Sequence, residues 1–436
     1  MSPQLTLQSP LELPPDEIPK YLDQLWSKDH LENNGANTFC LLIWQPAWLE
    51  QHLVRTGLIP GPIIGTNRQD LIEASRKVIL ERELPHSTAA LDIKVNAELE
   101  SLEDINKPED LRGQHIDSAI SALEPRRLIT LAPTLQKSEG LKSLVAAYCP
   151  LPEETNTKTA CGDVVVLRGH QTSLKKGLGI LQPLLPDDLP SWVWWNGSLD
   201  ESPDLLKDLA LPHRRIIIDT ALGNPLNCMR FLKQRIEEGQ AINDLNWLRL
   251  RTWRETLAMV FDPPDKRNAL NNIVQIDIDI EGDNYVQGVL FAAWMADRLN
   301  WQLKNCQREV GIEIISAEFT RPDGNPVTIK IIPLPIGKPS IHPGQVVGIR
   351  MICNPNLNPS KKMCVILASQ SGECMRLESG GMANMELLEE VVPIPITAVE
   401  ADVARLLRTS RGSTSPLLSS AAPIGAELIN LALANK

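Results

Sequence analysis

A chain of 436 residues with 43% apolar content is too long for one ordinary core and implies two folded domains. Its formal net charge of −11 and pI near 5.3 argue against the basic face that a dedicated nucleic-acid binder uses. The opening MSPQLTLQSPLELPPDEIPK lacks the layout of a signal peptide, and no run of about 18 apolar residues is evident, so the expectation is a cytoplasmic protein that does not engage a membrane.

Residues 1–20 carry five prolines and read as an extended lead. Asn37–Trp44 (NTFCLLIW) reads as a strand, followed by a helix-compatible stretch from Pro46 to Arg55. Residues 95–115 read as a polar surface connection; after Ser118–Leu123, Arg126–Leu131 (RRLITL) reads as a strand. The pattern then becomes regular. Asp163–Leu167 (DVVVL), Ser191–Trp195 (SWVWW) and Arg214–Asp219 (RRIIID) are short continuous apolar runs, alternating with candidate helices at Leu174–Leu185 and Leu205–Leu209. Such alternation points to a parallel sheet covered by helices on both faces. Helices are expected over Asn224–Glu238 and Asn243–Met259, a strand over Ile273–Ile280 (IVQIDIDI), and a helix over Tyr285–Leu303.

From there the grammar changes. Ile312–Thr320 and Val327–Leu334 flank Arg321-Pro-Asp-Gly-Asn-Pro326, a hairpin signal. Val346–Cys353, Met363–Ser369 and Cys374–Leu377 read as further antiparallel strands, and Asn384–Glu390 as a helix. The expected fold class is therefore α/β: a mostly parallel sheet domain covered by helices, then an α+β domain with an antiparallel sheet. The expected boundaries are a proline-rich lead at 1–20, the α/β domain at 21–282, the α+β domain at 283–408, and a Ser/Thr-rich linker at 409–436 ending in a helix over Ile424–Ala434.

Few residues suggest chemistry. No G-x-G-x-x-G or P-loop is present, so no cofactor is expected; Ser379-Gly-Gly-Met382 reads as a turn. The seven histidines (30, 52, 86, 115, 170, 213 and 342) show neither metal-ligand spacing nor a catalytic motif. Asp277, Asp279 and Glu281 share a strand face and read as solvated polar residues rather than an acid pair. Trp247, Leu250 and Arg254 follow helical spacing, which favours core tryptophans with solvated or ion-paired arginines over base stacking. Trp192, Trp194 and Trp195 form the densest aromatic block. Core is the favoured reading, with Trp192, Trp195 and Asn196 as candidates for a partner surface.

Eight cysteines are too sparse for a disulfide scaffold, and there is no C-x-x-C. Cys40, Cys149, Cys161, Cys228 and Cys306 read as buried free thiols. With Ser371-Gly372 as a tight turn, Ser369 faces Cys374, which leaves Cys364 roughly 17 Å away along the strand. A disulfide needs Cα atoms within about 7 Å. Cys353 is the remaining candidate, if the loop over 354–362 sets it beside Cys364 across a strand pair.

Several long segments resemble the OpcA family of cyanobacterial glucose-6-phosphate dehydrogenase assembly proteins. They include LLIWQPAWLEQHLVRTG (41–57), DSAISALEPRRLITLAPTL (117–135), ACGDVVVLRG (160–169), LPSWVWWNGSLDE (189–201), DLNWLRLRTWRETLAMVFDPP (244–264), SIHPGQVVGIRMIC (340–353) and CMRLESGGMANMELLEEVVP (374–393). The resemblance implies a non-catalytic protein that binds glucose-6-phosphate dehydrogenase, favours its active oligomeric state and so supports NADPH supply. It also implies redox control, with thioredoxin as a second partner. Cys364 and Cys374 match the family pattern, but the second cysteine that relatives carry six residues before Cys374 is Ala368 here. The candidate redox residues are thus Cys374, Cys364 and Cys353. An α/β enzyme with an unrecognised site and a passive assembly scaffold are the alternatives.

Overall fold

The computed structural model describes residues 4–27, 39–45, 126–134, 140–150, 162–185, 189–200, 202–309, 311–335, 344–353, 363–371, 374–381, 388–394, 399–409 and 413–433. The expected helix at Pro46–Arg55, the connection over 95–115, Ser118–Leu123, five of the histidines (30, 52, 86, 115 and 342), Cys161 and the Cys149 side chain lie outside the described residues.

The apolar runs form the first sheet. Its strands are β1 (Gln4–Leu13), β2 (Phe39–Trp44), β3 (Arg126–Thr134), β4 (Lys142–Pro150), β5 (Gly162–His170), β6 (Ser191–Trp195), β7 (Arg215–Ile218) and β8 (Ile242–Asp244). They lie in the order β1-β4-β5-β3-β2-β6-β7-β8. The run from β5 to β7 is parallel, and β4 and β1 add to it antiparallel. Every residue of β6 is buried, as are nearly all of β2 and β5, as two covered faces require. Leaving out the antiparallel β4, the order from β5 to β8 is the 3-2-1-4-5-6 arrangement of a doubly wound sheet. Its topological switch point lies between β2 and β6.

The proline-rich lead is extended over Gln4–Leu13, as expected, and forms a paired strand before turning helical at Pro15. β1 pairs with β4, and Pro10 sits where the register breaks between Gln8 and Leu11, so the missing N–H interrupts no regular ladder step.

The described α-helices, in chain order, are α1 (Ile18–Ser27), α2 (Gln171–Lys176), α3 (Pro203–Leu209), α4 (Pro225–Glu237), α5 (Leu245–Arg249), α6 (Arg251–Val260), α7 (Pro264–Arg267), α8 (Val286–Arg298), α9 (Val399–Thr409) and α10 (Pro416–Leu433). The helix expected over Leu174–Leu185 is α-helical only to Lys176. It continues as a 3-10 turn, Gly177–Leu184, containing Pro183, which lacks the N–H an α-helix would use. The single helix expected over Asn243–Met259 is two: Asp244 caps α5 through the Asn246 and Trp247 N–H groups, and the chain breaks at Leu250 before α6. The helix expected to reach Leu303 ends at Arg298, because Asn300 takes a left-handed φ of 52° and turns the chain into the next strand.

The second sheet comprises β9 (Ile273–Glu281), β10 (Gln302–Glu309), β11 (Ile314–Thr320), β12 (Pro326–Leu334), β13 (Val346–Cys353), β14 (Met363–Ser371), β15 (Cys374–Gly381) and β16 (Leu388–Pro393). Its order is β10-β11-β12-β9-β13-β14-β15-β16, antiparallel throughout except for the β9–β12 pair. The helix α8 lies close on this sheet because Gly288 has no side chain: a Cβ there would meet Ile331 Cγ2 at 2.8 Å and Ile280 Cγ2 at 3.1 Å. Two expectations fail here. Gly380 and Gly381 belong to β15 rather than a turn, and the helix expected at Asn384–Glu390 gives way to β16, whose Glu390 pairs with Leu377.

One compact unit comprises residues 1–219, 240–242 and 399–413; the other comprises 220–239, 243–398 and 414–436. The boundary therefore precedes 283, since β9 is a central strand of the second sheet. Within the second unit, α10 begins at Pro416, inside the expected linker. By length and composition it is apolar enough to cross a membrane. Its apolar side instead packs in the core. Leu418, Ala421, Leu428 and Ile429 are buried, and a Cβ on Gly425 would meet Met229 at 2.8 Å and Val289 at 3.3 Å.

Candidate functional sites

The partner-surface candidates are buried: Trp192 lies near the start of β6, and Trp195 and Asn196 at its C-terminal end. Trp192 is 3% exposed, with the Arg215 guanidinium 5.3 Å from its ring centre. Trp195 is fully buried and stacks on Trp44, with ring centres 4.8 Å apart and planes 8° from parallel. Its Nε1 donates to the Ser198 carbonyl at 2.8 Å. Asn196 is buried and donates its backbone N–H to the Trp44 carbonyl at 3.0 Å. Burial removes these residues from an accessible partner surface and makes them core. Their place matters: β2 and β6 end side by side at the switch point, where a doubly wound domain usually takes a dinucleotide. The two stacked indoles lie at these strand ends.

The thiol candidates sit on the β13-β14-β15 meander. Ile352 pairs with Cys364 and Cys353 with Met363, so Cys353 and Cys364 point to opposite faces. Cys353 is fully buried, and burial pushes its thiol up to about 12; Cys364 is half-buried, and its thiol is also raised, by burial. The strand-pair bridge considered between them, as the alternative to free packed thiols, is therefore excluded by the pleat. Cys374 faces Ser371, not Ser369, because the ladder slips between Ser369 and Ser371. Cys364 faces Gly380, which puts it roughly 20 Å along the ladder from Cys374. Ala368 faces Arg376, diagonal to Cys374 rather than beside the residue that faces it. Cys40, Cys228 and Cys306 are buried, as expected, and burial holds Cys306 up at about 12.

Carboxylates on β9 depart from the solvated reading. Asp277 is 3% exposed and accepts from Arg350 Nε at 3.0 Å. Asp279 has its pKa raised, chiefly by burial, with Arg350 opposing and Asp277 reinforcing the shift. A raised folded pKa means that the native state binds the proton more tightly than the unfolded chain. Stability then falls as pH rises from the ordinary carboxylate value of about 4 through the folded pKa. The Asp279→Asn variant is expected to lose that slope and to gain on the wild type as pH rises. Urea unfolding from acid to neutral pH reads this out; a constant difference across that range would contradict it.

Two further clusters are structural. Arg254, half-buried, lies 3.5 Å over the Trp247 ring and donates to the Trp247 carbonyl at 3.4 Å; burial pushes its guanidinium down to about 10, and among the described residues no carboxylate forms an ion pair with it. A buried network was missed by sequence reading. Asp244 accepts from the Thr220 N–H at 3.0 Å and hydroxyl at 2.8 Å, while Asn246 donates to Thr220 Oγ1 at 3.2 Å and accepts from Gln287 Nε2 at 2.9 Å. The Asp244 oxygens are engaged by these donors and by the α5 N-terminus, so the carboxylate is poorly placed to act as a base. Among the described residues, no three His, Cys, Asp or Glu side chains gather as a metal ion would require.

Comparison with known proteins places these features. Residues 117–234 match a family described as the glucose-6-phosphate dehydrogenase subunit N-terminal domain, and residues 240–422 match its C-terminal domain counterpart. An OxPP cycle protein OpcA from Synechocystis sp. is 29% identical over 93% of this chain and 90% of its own length. The OpcA protein of Synechococcus elongatus is 29% identical over 90% of each chain. Among solved structures, a glucose-6-phosphate 1-dehydrogenase from Mycobacterium avium superposes loosely, with a TM-score of 0.40 and 12% identity over 90% of this chain and 91% of that one. With matches to both halves of one family spanning more than half of its length, the chain belongs to the OpcA family.

Proposed function

We propose that this protein binds a cytoplasmic glucose-6-phosphate dehydrogenase, favours its active oligomeric state and raises its activity without catalysing a reaction itself. The observation that carries this reading is the pair of family matches, one in each half of the chain, both described as dehydrogenase subunit domains. The stacked Trp44 and Trp195 support the non-catalytic part, because they occupy the strand ends where an α/β enzyme would hold a nucleotide. The mechanism needs only linkage. A binder that prefers one state of the dehydrogenase stabilises that state by its differential affinity, and substrate tightens the complex in return.

Mixing the purified chain with the dehydrogenase is expected to give one co-eluting species by size-exclusion chromatography with light scattering, and a lower KM for glucose 6-phosphate. A tenfold change corresponds to about 1.4 kcal/mol of coupling. Separate elution at micromolar concentrations would sink the binding reading. Co-elution with unchanged KM and kcat would leave a passive scaffold. The redox arm implied by the family resemblance is weakened in this chain, since Cys353, Cys364 and Cys374 are not in bridging positions and Ala368 replaces the usual partner. Mild oxidant and reduced thioredoxin are therefore expected to change the activation little. A several-fold response to either would restore thiol control.

A further inference from the structure

A cavity of about 300 Å³ opens at the N-terminal ends of β6 and β7, the opposite strand ends from the buried Trp44–Trp195 stack. It lies between the 3-10 turn Gly177–Leu184 and the Leu209–Arg214 connection, within the first compact unit. Six leucines, among them Leu181 and Leu209, make its apolar wall. Gln182, Ser191, His213 and Arg214 supply neutral or basic groups. The acid on the rim, Asp208, stands 3.9 Å from Lys175 Nζ, which offsets its charge.

Arg214 is the unusual member. Its Nη1 donates to the Leu209 carbonyl at 2.8 Å, which fixes the guanidinium at the C-terminus of α3. Its Nε is buried and makes no hydrogen bond, and no carboxylate among the described residues pairs with it. Burial also pushes the guanidinium down from its ordinary value. A cation partly stripped of water and without a carboxylate partner among the described residues is costly, and a bound anion is the usual remedy. Arginine suits that role, since its planar fork matches carboxylate and phosphate oxygens. A cavity of this size, half leucine-lined with a few convergent polar groups, has the make-up of a small-ligand site.

We propose that this cavity binds a small organic anion, its carboxylate or phosphate seated on Arg214 and His213 and its carbon body against the leucines. The proposal is independent of dehydrogenase binding and gives the protein a ligand input of its own. The test is calorimetric titration of the full-length chain with phenyl phosphate and, separately, with hexanoate. Saturable binding of either supports the site, and the better of the two assigns the head group. Arg214→Gln is expected to weaken that binding by about tenfold or more, the loss of a charge-assisted pair. Because Arg214 also caps α3, a second variant guards against misfolding. Gly179 lines the cavity, and a Cβ built there meets no atom within 4 Å, so Gly179→Phe is expected to fold and to abolish binding by filling the space. No saturation by either probe up to about 10 mM would overturn the proposal, since that concentration covers even weak sites. Undiminished binding by folded Arg214→Gln or by Gly179→Phe would overturn it equally.

Discussion

Trp195→Ala is expected to destabilise the protein by about 3–5 kcal/mol, the usual cost of emptying a buried indole site. Trp195 is fully buried, stacks on Trp44 at 4.8 Å and donates to the Ser198 carbonyl. Truncation removes the apolar contact and the aromatic pair, and leaves the Ser198 carbonyl without that donor. Urea unfolding monitored by near-ultraviolet circular dichroism measures the loss. The same variant decides what this tryptophan is for. If it is core, the folded variant binds the dehydrogenase as the wild type does, at temperatures below its own melting. If it is a partner hot spot, affinity falls by tenfold or more, about 1.4 kcal/mol, while stability is unchanged. Unchanged stability would show that Trp195 does not hold the sheet together at the switch point.

Arg127→Met carries an expected cost of similar size for a different reason. Arg127 and Asp163 are register partners on β3 and β5. Nε and Nη2 of Arg127 reach the two Asp163 oxygens at 2.9 and 3.0 Å, and Nη1 donates to the Leu184 carbonyl at 3.1 Å. The Asp163 side chain is 0% exposed. Removing the arginine takes away the group that engages both oxygens of a buried carboxylate, and breaking a buried pair from one side costs about 3–5 kcal/mol. Replacing both partners removes the buried charge as well, so Arg127→Met with Asp163→Leu is expected to be more stable than Arg127→Met alone. Equilibrium unfolding of both variants provides the comparison. A double variant no better than the single one would show that the loss comes from packing around Arg127 rather than from the buried carboxylate left behind.

The sequence by itself determined the strands whose burial is written into composition. Leu41–Trp44, Asp163–Leu167 and Ser191–Trp195 are continuous apolar runs, and only a doubly covered sheet hides them. The hairpin between β11 and β12 was legible for a local reason too, since Pro-Asp-Gly-Asn sets its own turn. Family membership was carried by long irregular segments on both sides of the chain.

Tertiary structure alone decided the rest, because the deciding contacts join residues distant in sequence. β1 and β10 are polar or proline-bearing and show little strand pattern; they are strands because β4 and β11 offer them a ladder. Near residue 388, pairing with β15 outweighs the local helix preference. Trp195 has the same neighbours in sequence whether it is core or surface, and only the approach of Trp44 from β2 makes it core. The thiols depend on register: the slip between Ser369 and Ser371 and the pleat that separates Cys353 from Cys364 cannot be counted from spacing. Arg214, whose Nε finds no partner among the described residues, shows the same limit. One arginine beside another carries no signal in sequence, and it becomes a candidate anion site only where the turn after α3 meets the 3-10 segment and leaves a cavity between them.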